Sequence, residues 1–252
     1  MAGVYEHMLS FKTSDRAGYV VLIDPDRIPM DDIEERVALI SRYADLVFIG
    51  GSIVTRGSFD EAIRRVKRAS EVPVVIFPGD ATQVSGGADA IMFLSLVSGR
   101  NADLLIGEHV KAAPLVRNLG LEAIPVAYIL VESGRTTSVQ FMSQTLAIPG
   151  DKPEIAMAHA LAGEYLGMKA VFLEAGSGAE NHVPAGMVKA VSDYVSVPVM
   201  VGGGIRTPDM AGELVKSGAT FIVTGDIIEK HASESMLEDF SRAVRETCRE
   251  RG

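Results

Sequence analysis

Residues 198–226 read PVMVGGGIRTPDMAGELVKSGATFIVTGD. The apolar run Pro198 to Val201 breaks into Gly202-Gly203-Gly204, and Thr207-Pro208 then offers an N-cap residue with proline at the first helical position. Phe221-Ile222-Val223 resumes the apolar character and ends in Thr224-Gly225-Asp226. Strand, glycine turn, helix, strand, glycine turn is the signature of parallel strands buried on both faces and covered by helices.

The same alternation extends upstream. Ala170 to Leu173 reads as a sixth strand, closing in Glu174 through Gly178, behind a helix over Pro153 to Leu166 with Gly167 as its C-cap. Tyr19 to Ile23, Leu46 to Ile49, Pro73 to Phe77, Ile91 to Leu94 and Ile124 to Val131 supply the earlier strands. Asp31 with Glu34, and Ser58 with Glu61, predict helix starts of the capping-box type. Ala102 to Asn118 reads as a helix kinked at Pro114. Gly79 to Asp89 is polar and lacks apolar period, so the third helix is expected to be shortened or replaced. About eight βα units in 252 residues predict a single (β/α)8 TIM barrel spanning 1–252. Glu132 to Gly150, rich in Ser and Thr, reads either as a lid or as a long surface connection.

A net charge of −9 and a pI near 5.1 disfavour a nucleic-acid partner. Cys248 is the only cysteine, which excludes an intrachain disulfide or a thiolate metal cluster and points to a reducing cytoplasm. Met1 to Arg16 lacks the apolar core of a signal peptide, and no later apolar run approaches the ~18 residues of a membrane span, although contact with a membrane surface stays open.

In a barrel of this kind the turns after the strands form the functional face. Asp24-Pro25-Asp26, Gly50-Gly51-Ser52, Glu174 to Gly178, Gly202 to Gly204 and Thr224 to Asp226 all fall there. Glycine lets main-chain N–H groups approach an anion closely, so three such turns on successive strands predict a phosphate grip. Asp24 and Ser52 offer hard oxygen ligands suited to Mg2+ shared with substrate phosphates; alternatively, Asp24 and Asp26 only stabilise the turn around Pro25. Glu174 suits a polyol contact or proton abstraction, or else a structural ion pair with Arg206. The acidic run Asp31 to Glu35 is read as a helix start, and His7, His109, His159, His182 and His231 show no metal-ligand spacing.

LIDPD at 22–26, GGS at 50–52, GEYLGM at 163–168, LEAGSGA at 173–179 and VGGGIR at 201–206 together resemble the geranylgeranylglyceryl phosphate synthases of archaea. The resemblance covers nearly the whole chain and is closest to that family's second group, with bacterial heptaprenylglyceryl phosphate synthases as relatives. It implies Mg2+-dependent transfer of a geranylgeranyl group from geranylgeranyl diphosphate to the sn-3 hydroxyl of sn-glycerol 1-phosphate. It further implies a homo-oligomer, dimer or hexamer. On this chain it assigns Asp24 and Ser52 to Mg2+. Phe172, Leu173, Glu174, Ala175, Gly176, Ser177, Gly178, Gly203, Gly204, Gly225 and Asp226 fall to glycerol phosphate, with Glu174 as the catalytic candidate.

Phe172 stands where the family often has Tyr, and Asp226 where it often has Asn. Loss of a tyrosyl hydrogen bond costs about 1 kcal/mol net. An ionised Asp226 repels a phosphate, so its backbone N–H is the expected contact. The prenyl tail is expected to cross the barrel top toward strands three to five, near Phe77, Ile91, Phe93 and Tyr128. Two rival functions share the phosphate grip: an isomerase or lyase acting on a sugar phosphate, and a non-catalytic glycerophosphate-binding barrel.

Overall fold

The computed structural model describes residues 3–51, 55, 57–225 and 233–249. Strands β1 (Gly18–Ile23), β2 (Leu46–Ile49), β3 (Val74–Ile76), β4 (Ala90–Leu96), β5 (Glu122–Leu130), β6 (Ala170–Glu174), β7 (Val199–Gly202) and β8 (Phe221–Thr224) close into a parallel barrel. β8 returns to β1 with Gly18 opposite Phe221 and Val21 opposite Thr224. Among the described residues the α-helices are α1 (Val4–Thr13), α2 (Ile33–Ser41), α3 (Phe59–Ala69), α4 (Glu108–Leu119), α5 (Ser138–Ser143), α6 (Pro153–Tyr165), α7 (Ala185–Tyr194), α8 (Pro208–Lys216) and α9 (Glu234–Arg249). The side chain of Cys248, near the end of α9, lies outside the described residues.

Residue parity along each strand sorts two cores, because successive side chains of a strand point to opposite faces. The inner one joins Val20, Leu46, Phe48, Val75, Met92, Val126, Tyr128, Phe172, Met200 and Phe221. The outer one packs Val21, Ile23, Val47, Ile91, Leu173 and Val201 against helical residues such as Ile33, Ile63, Val188 and Leu214.

The helix expected between β3 and β4 is replaced by turns over 77–89, as the polarity of that segment predicts. Thr207 caps α8 by accepting the Met210 N–H at 3.3 Å, with Pro208 at the first turn. Ser58 caps α3 in the same way, but Glu61 pairs with Arg65 instead of reciprocating. The capping box at Asp31 does not form: a turn closed by the Asp32 N–H on the Pro29 carbonyl delays α2 to Ile33, and Glu34 reaches out to Arg68. Pro114 lies inside α4, and the irregular hydrogen bonding falls upstream, in a π-helical turn over Asp103–Gly107.

Helix α1 has no counterpart in the sequence reading. Val4, Met8 and Phe11 form a stripe at helical spacing that joins the inner core, with Phe11 5.1 Å from Phe221. This helix therefore closes the floor of the barrel. Its first turn is capped by a carboxylate from β5: Glu122 accepts the N–H groups of Val4 at 2.6 Å and Tyr5 at 3.0 Å. Glu122→Ala should cost about 1–2 kcal/mol, as loss of a helix cap does. Thermal melting reads that cost, and the opposite rim of the barrel is expected to stay unchanged.

Candidate active site

The inner parity of the strands continues into the turns at their C-terminal ends. Asp24 follows Val20 and Leu22, Gly50 follows Leu46 and Phe48, Gly202 follows Met200, and Gly225 follows Phe221 and Val223. Glu174 ends the series Ala170, Phe172, Glu174. Small residues at three of these positions leave the mouth open, and carboxylates take the other two.

Glu174 is buried at 7% exposure. One carboxylate oxygen, Oε1, accepts the Gly176 N–H at 2.5 Å, so the turn is folded around its own acid. Burial first, then the Glu174 charge, pushes the Tyr128 phenol well above its ordinary pKa. Arg206 does not form the expected ion pair with Glu174. Its guanidinium donates to the carbonyls of Glu180 at 2.8 Å and Ala179 at 2.5 Å, tying the β7 turn to the β6 turn.

Gly176, Gly178, Gly203 and Gly204 have φ of +99°, +70°, +84° and +71°, a region that glycine enters without penalty. The β6 and β7 turns interlock closely. A methyl group on Gly203 would lie 2.6 Å from Glu174 Oε1 and 2.6 Å from Gly176 N. On Gly204 it would lie 2.6 Å from the Asn181 carbonyl. Gly225 lies beside Leu22, which brings the β8 turn next to β1. Leu173 and Ala175 point into the outer core, so any ligand contact they make is through the main chain.

Across the mouth, Asp24 Oδ1 accepts the Asp26 N–H at 3.0 Å and Oδ2 pairs with Arg27 Nε at 3.3 Å. Arg27 also reaches Ser177 Oγ at 3.4 Å, so one guanidinium spans the β1 and β6 turns. Asp26 accepts from both N and Oγ1 of Thr55 at 2.6 and 2.8 Å and so holds the β2 loop. Asp24 therefore stabilises its turn and faces the cradle as well. Ser52 and Asp226, the remaining ligand assignments, lie outside the described residues.

Among the described residues no cluster of three or more His, Cys, Asp or Glu could hold a metal ion. The carboxylate of Asp24 packs against Gly51, and Asp24 is a hard oxygen donor of the kind Mg2+ takes.

The sequence reading missed three residues at this rim. Arg27 follows the Asp24-Pro25-Asp26 turn directly, and its span to Ser177 depends on the barrel being closed. Gln83, from the helix-free connection, is buried and clamps Gly51 by accepting its N–H at 3.3 Å and donating to its carbonyl at 2.7 Å. Thr137, at the start of α5, is buried at 5% exposure, packs on the Cα of Gly176, and its hydroxyl has no partner among the described residues. The 132–150 segment thus folds over the β6 turn, held by the Asn181 N–H on the Ser133 carbonyl and by a bridge between Val131 and Ile148.

Two residues expected beside a prenyl tail are placed elsewhere. Ile91 belongs to the outer core and Phe93 packs at 4.5 Å against His109 of α4, because both have outward parity on β4. Phe77 and Tyr128 do face the inner mouth, where Phe77 stacks near Phe48 and Phe172.

Glycine-lined turns after β6, β7 and β8, facing a carboxylate after β1, define a phosphate-binding TIM-barrel enzyme as the class. The model of the PcrB family matches residues 11–244, and the chain belongs to that family. It is 43% identical over 242 residues to the geranylgeranylglyceryl phosphate synthase of Chitinophaga pinensis, covering 96% of this chain and 95% of that one. The enzyme of the same name from Thermofilum pendens is 41% identical over 232 residues, covering 91% and 89% of the two chains. A crystal structure of (S)-3-O-geranylgeranylglyceryl phosphate synthase from Thermoplasma acidophilum, in complex with sn-glycerol-1-phosphate, superposes with a TM-score of 0.91 at 35% identity, covering 98% of this chain and all of that one. Thiamine phosphate pyrophosphorylase from Pyrococcus furiosus, at 15% identity and a TM-score of 0.60, shares the fold.

Proposed function

We propose that this protein transfers a geranylgeranyl group from geranylgeranyl diphosphate to the sn-3 hydroxyl of sn-glycerol 1-phosphate, the first ether-forming step of an archaeal-type membrane lipid. The carrying observation is the buried carboxylate of Glu174, fixed inside a glycine cradle and opposite Asp24 across one barrel mouth. The family and the relatives' names support the same reading.

Main-chain N–H groups of the turns at Gly176 to Gly178, Gly203, Gly204 and Gly225 would hold the phosphate, and Phe172 forms the apolar floor beneath it. The contacts of Leu173 and Ala175 come through their main chain, and Ser177 adds a hydroxyl. Glu174 accepts the proton of the sn-3 hydroxyl as that oxygen bonds to the allylic carbon and the carbon–diphosphate bond breaks. Proton and diphosphate then leave to solvent. Bound Mg2+, held by Asp24 and Ser52, would supply neutralisation of the departing diphosphate. Arg27 places a second positive charge between the two halves of the mouth.

No helix among the described residues is long and apolar enough to cross a membrane. We place the enzyme in the cytoplasm, in peripheral contact with the membrane that receives its product. Exposed Tyr165, Leu166 and Tyr194 on one side, and Ile106 and Val110 on another, support assembly into a homo-oligomer, dimer or hexamer.

The test is transfer of radiolabelled sn-glycerol 1-phosphate across prenyl diphosphates of graded length, with and without Mg2+. Product is expected only with the metal present. Asp24→Ala is expected to reduce transfer by at least about 100-fold, the scale of removing an electrostatic stabiliser of the transition state. Undiminished transfer by that variant would remove Asp24 from the metal site, and a sugar-phosphate isomerase or a glycerophosphate sensor would release no pyrophosphate.

A further inference from the structure

We infer that the hydroxyl of Thr137 is a further contact to the acceptor, so that the loop after β5 joins the glycine turns of β6, β7 and β8 in holding glycerol phosphate. This rests on the reading of the acceptor site given above and adds to it a residue from outside the cradle.

Thr137 occupies the N-cap of α5, in extended backbone with φ −99° and ψ 166°. A threonine there ordinarily turns its hydroxyl back to accept an N–H of the first helical turn. Ser58 and Thr207 do so at the starts of α3 and α8. Thr137 does not: its carbonyl accepts the Phe141 N–H, while its hydroxyl makes no cap. The side chain is turned to the β6 turn instead. A methyl group on Gly176 would fall onto it, with the hydroxyl oxygen as the nearest atom. Gly176 belongs to the cradle, since its N–H is held by Glu174 and a methyl on Gly203 would lie 2.6 Å from its N and 2.9 Å from its O.

That orientation is costly unless something meets the hydroxyl. Thr137 is buried, and its oxygen has no hydrogen-bond partner among the described residues. The other buried hydroxyls of residues 132–150 each find a carbonyl: Ser133 that of Arg135, Ser143 that of Gln140 and Thr145 that of Ser143. The one exception is the hydroxyl that lies against the cradle. A buried hydroxyl without a partner destabilises a fold, whereas one placed where a polar ligand binds gains its partner with that ligand.

The neighbouring residues bring the start of α5 to the barrel mouth. Val139, two positions on, packs against the inner core beside Phe77 and Leu94. A threonine hydroxyl can donate to a phosphate oxygen and accept from a polyol. The donor's diphosphate is assigned to the far side of the mouth at Asp24, and its tail carries no polar atom, which leaves the acceptor as the partner.

The test compares wild type with Thr137→Val and Thr137→Ser. Valine keeps nearly the same shape without the hydroxyl, and serine keeps the hydroxyl without the methyl. Calorimetric affinity for sn-glycerol 1-phosphate is expected to fall about five- to tenfold in Thr137→Val, the net contribution of one hydrogen bond, and to stay near the wild-type value in Thr137→Ser. The KM of the prenyl donor should not move. Because valine removes an unpartnered hydroxyl, ligand-free Thr137→Val should melt at or above the wild-type temperature. A hydroxyl with only a structural role predicts the reverse pair, earlier melting and unchanged affinity.

A Thr137→Val variant that binds the acceptor as tightly as wild type, or that melts earlier without ligand, would overturn the role of Thr137 while leaving the transferase reading intact. A wild-type protein that neither binds nor uses sn-glycerol 1-phosphate overturns the transferase reading and this inference together.

Discussion

Glu174→Gln is expected to lower kcat/KM for glycerol phosphate transfer by about 100- to 10,000-fold, the range for removing a general base. The substitution is nearly isosteric. A glutamine oxygen can still accept the Gly176 N–H, so the turn should keep its shape. What disappears is the negative charge and the capacity to take a proton. Binding and chemistry separate on that account: calorimetric affinity for sn-glycerol 1-phosphate should fall far less than the single-turnover rate. A variant with near-wild-type turnover would show that the acceptor hydroxyl loses its proton elsewhere.

Gly203→Ala should have the second-largest effect, and by a different route. Its φ of +84° is unfavourable for alanine, at a cost of about 1–3 kcal/mol. The new methyl would also collide with Glu174 Oε1 and Gly176 N, both 2.6 Å away and both fixed in the turn. Relief requires the β6 and β7 turns to separate, which turns main-chain donors away from the phosphate. A hydrogen bond to a charged group contributes about 1.5–3 kcal/mol, so the KM for sn-glycerol 1-phosphate should rise roughly 10- to 100-fold. The melting temperature should fall by several degrees. A variant with unchanged KM would show that the phosphate is held elsewhere.

Much of this architecture is legible in the residues because parallel strands buried on both faces read as short β-branched runs, such as Val47 and Ile49 or Val199 and Val201. Glycines in left-handed backbone mark the cradle just as clearly, since no other residue type accepts that conformation so readily. Helix α1 was hidden because Glu6, His7, Ser10 and Lys12 interrupt its apolar residues, while its buried stripe is only Val4, Met8 and Phe11. Asp31 failed as a cap because the turn from Pro29 to Asp32 takes up the chain first.

The misplaced tail neighbours show what alternation alone could have corrected. Ile91 and Phe93 share one parity on β4 and Met92 has the other, so the three cannot line one cavity. Tyr128 shares parity with Ile124 and Val126, which turns it inward, but its meeting with Phe172 depends on the β5 and β6 register, which local pattern does not encode. Arg27, Gln83 and Thr137 were invisible for the same reason: each acts on a turn far away in the chain.

With α1 stoppering one end and side chains filling the interior, the enzyme is a cup rather than a tunnel. Donor, acceptor and finished ether all share a single doorway. On the proposed reaction, a greasy product would have to leave over the same lip by which fresh glycerol phosphate enters.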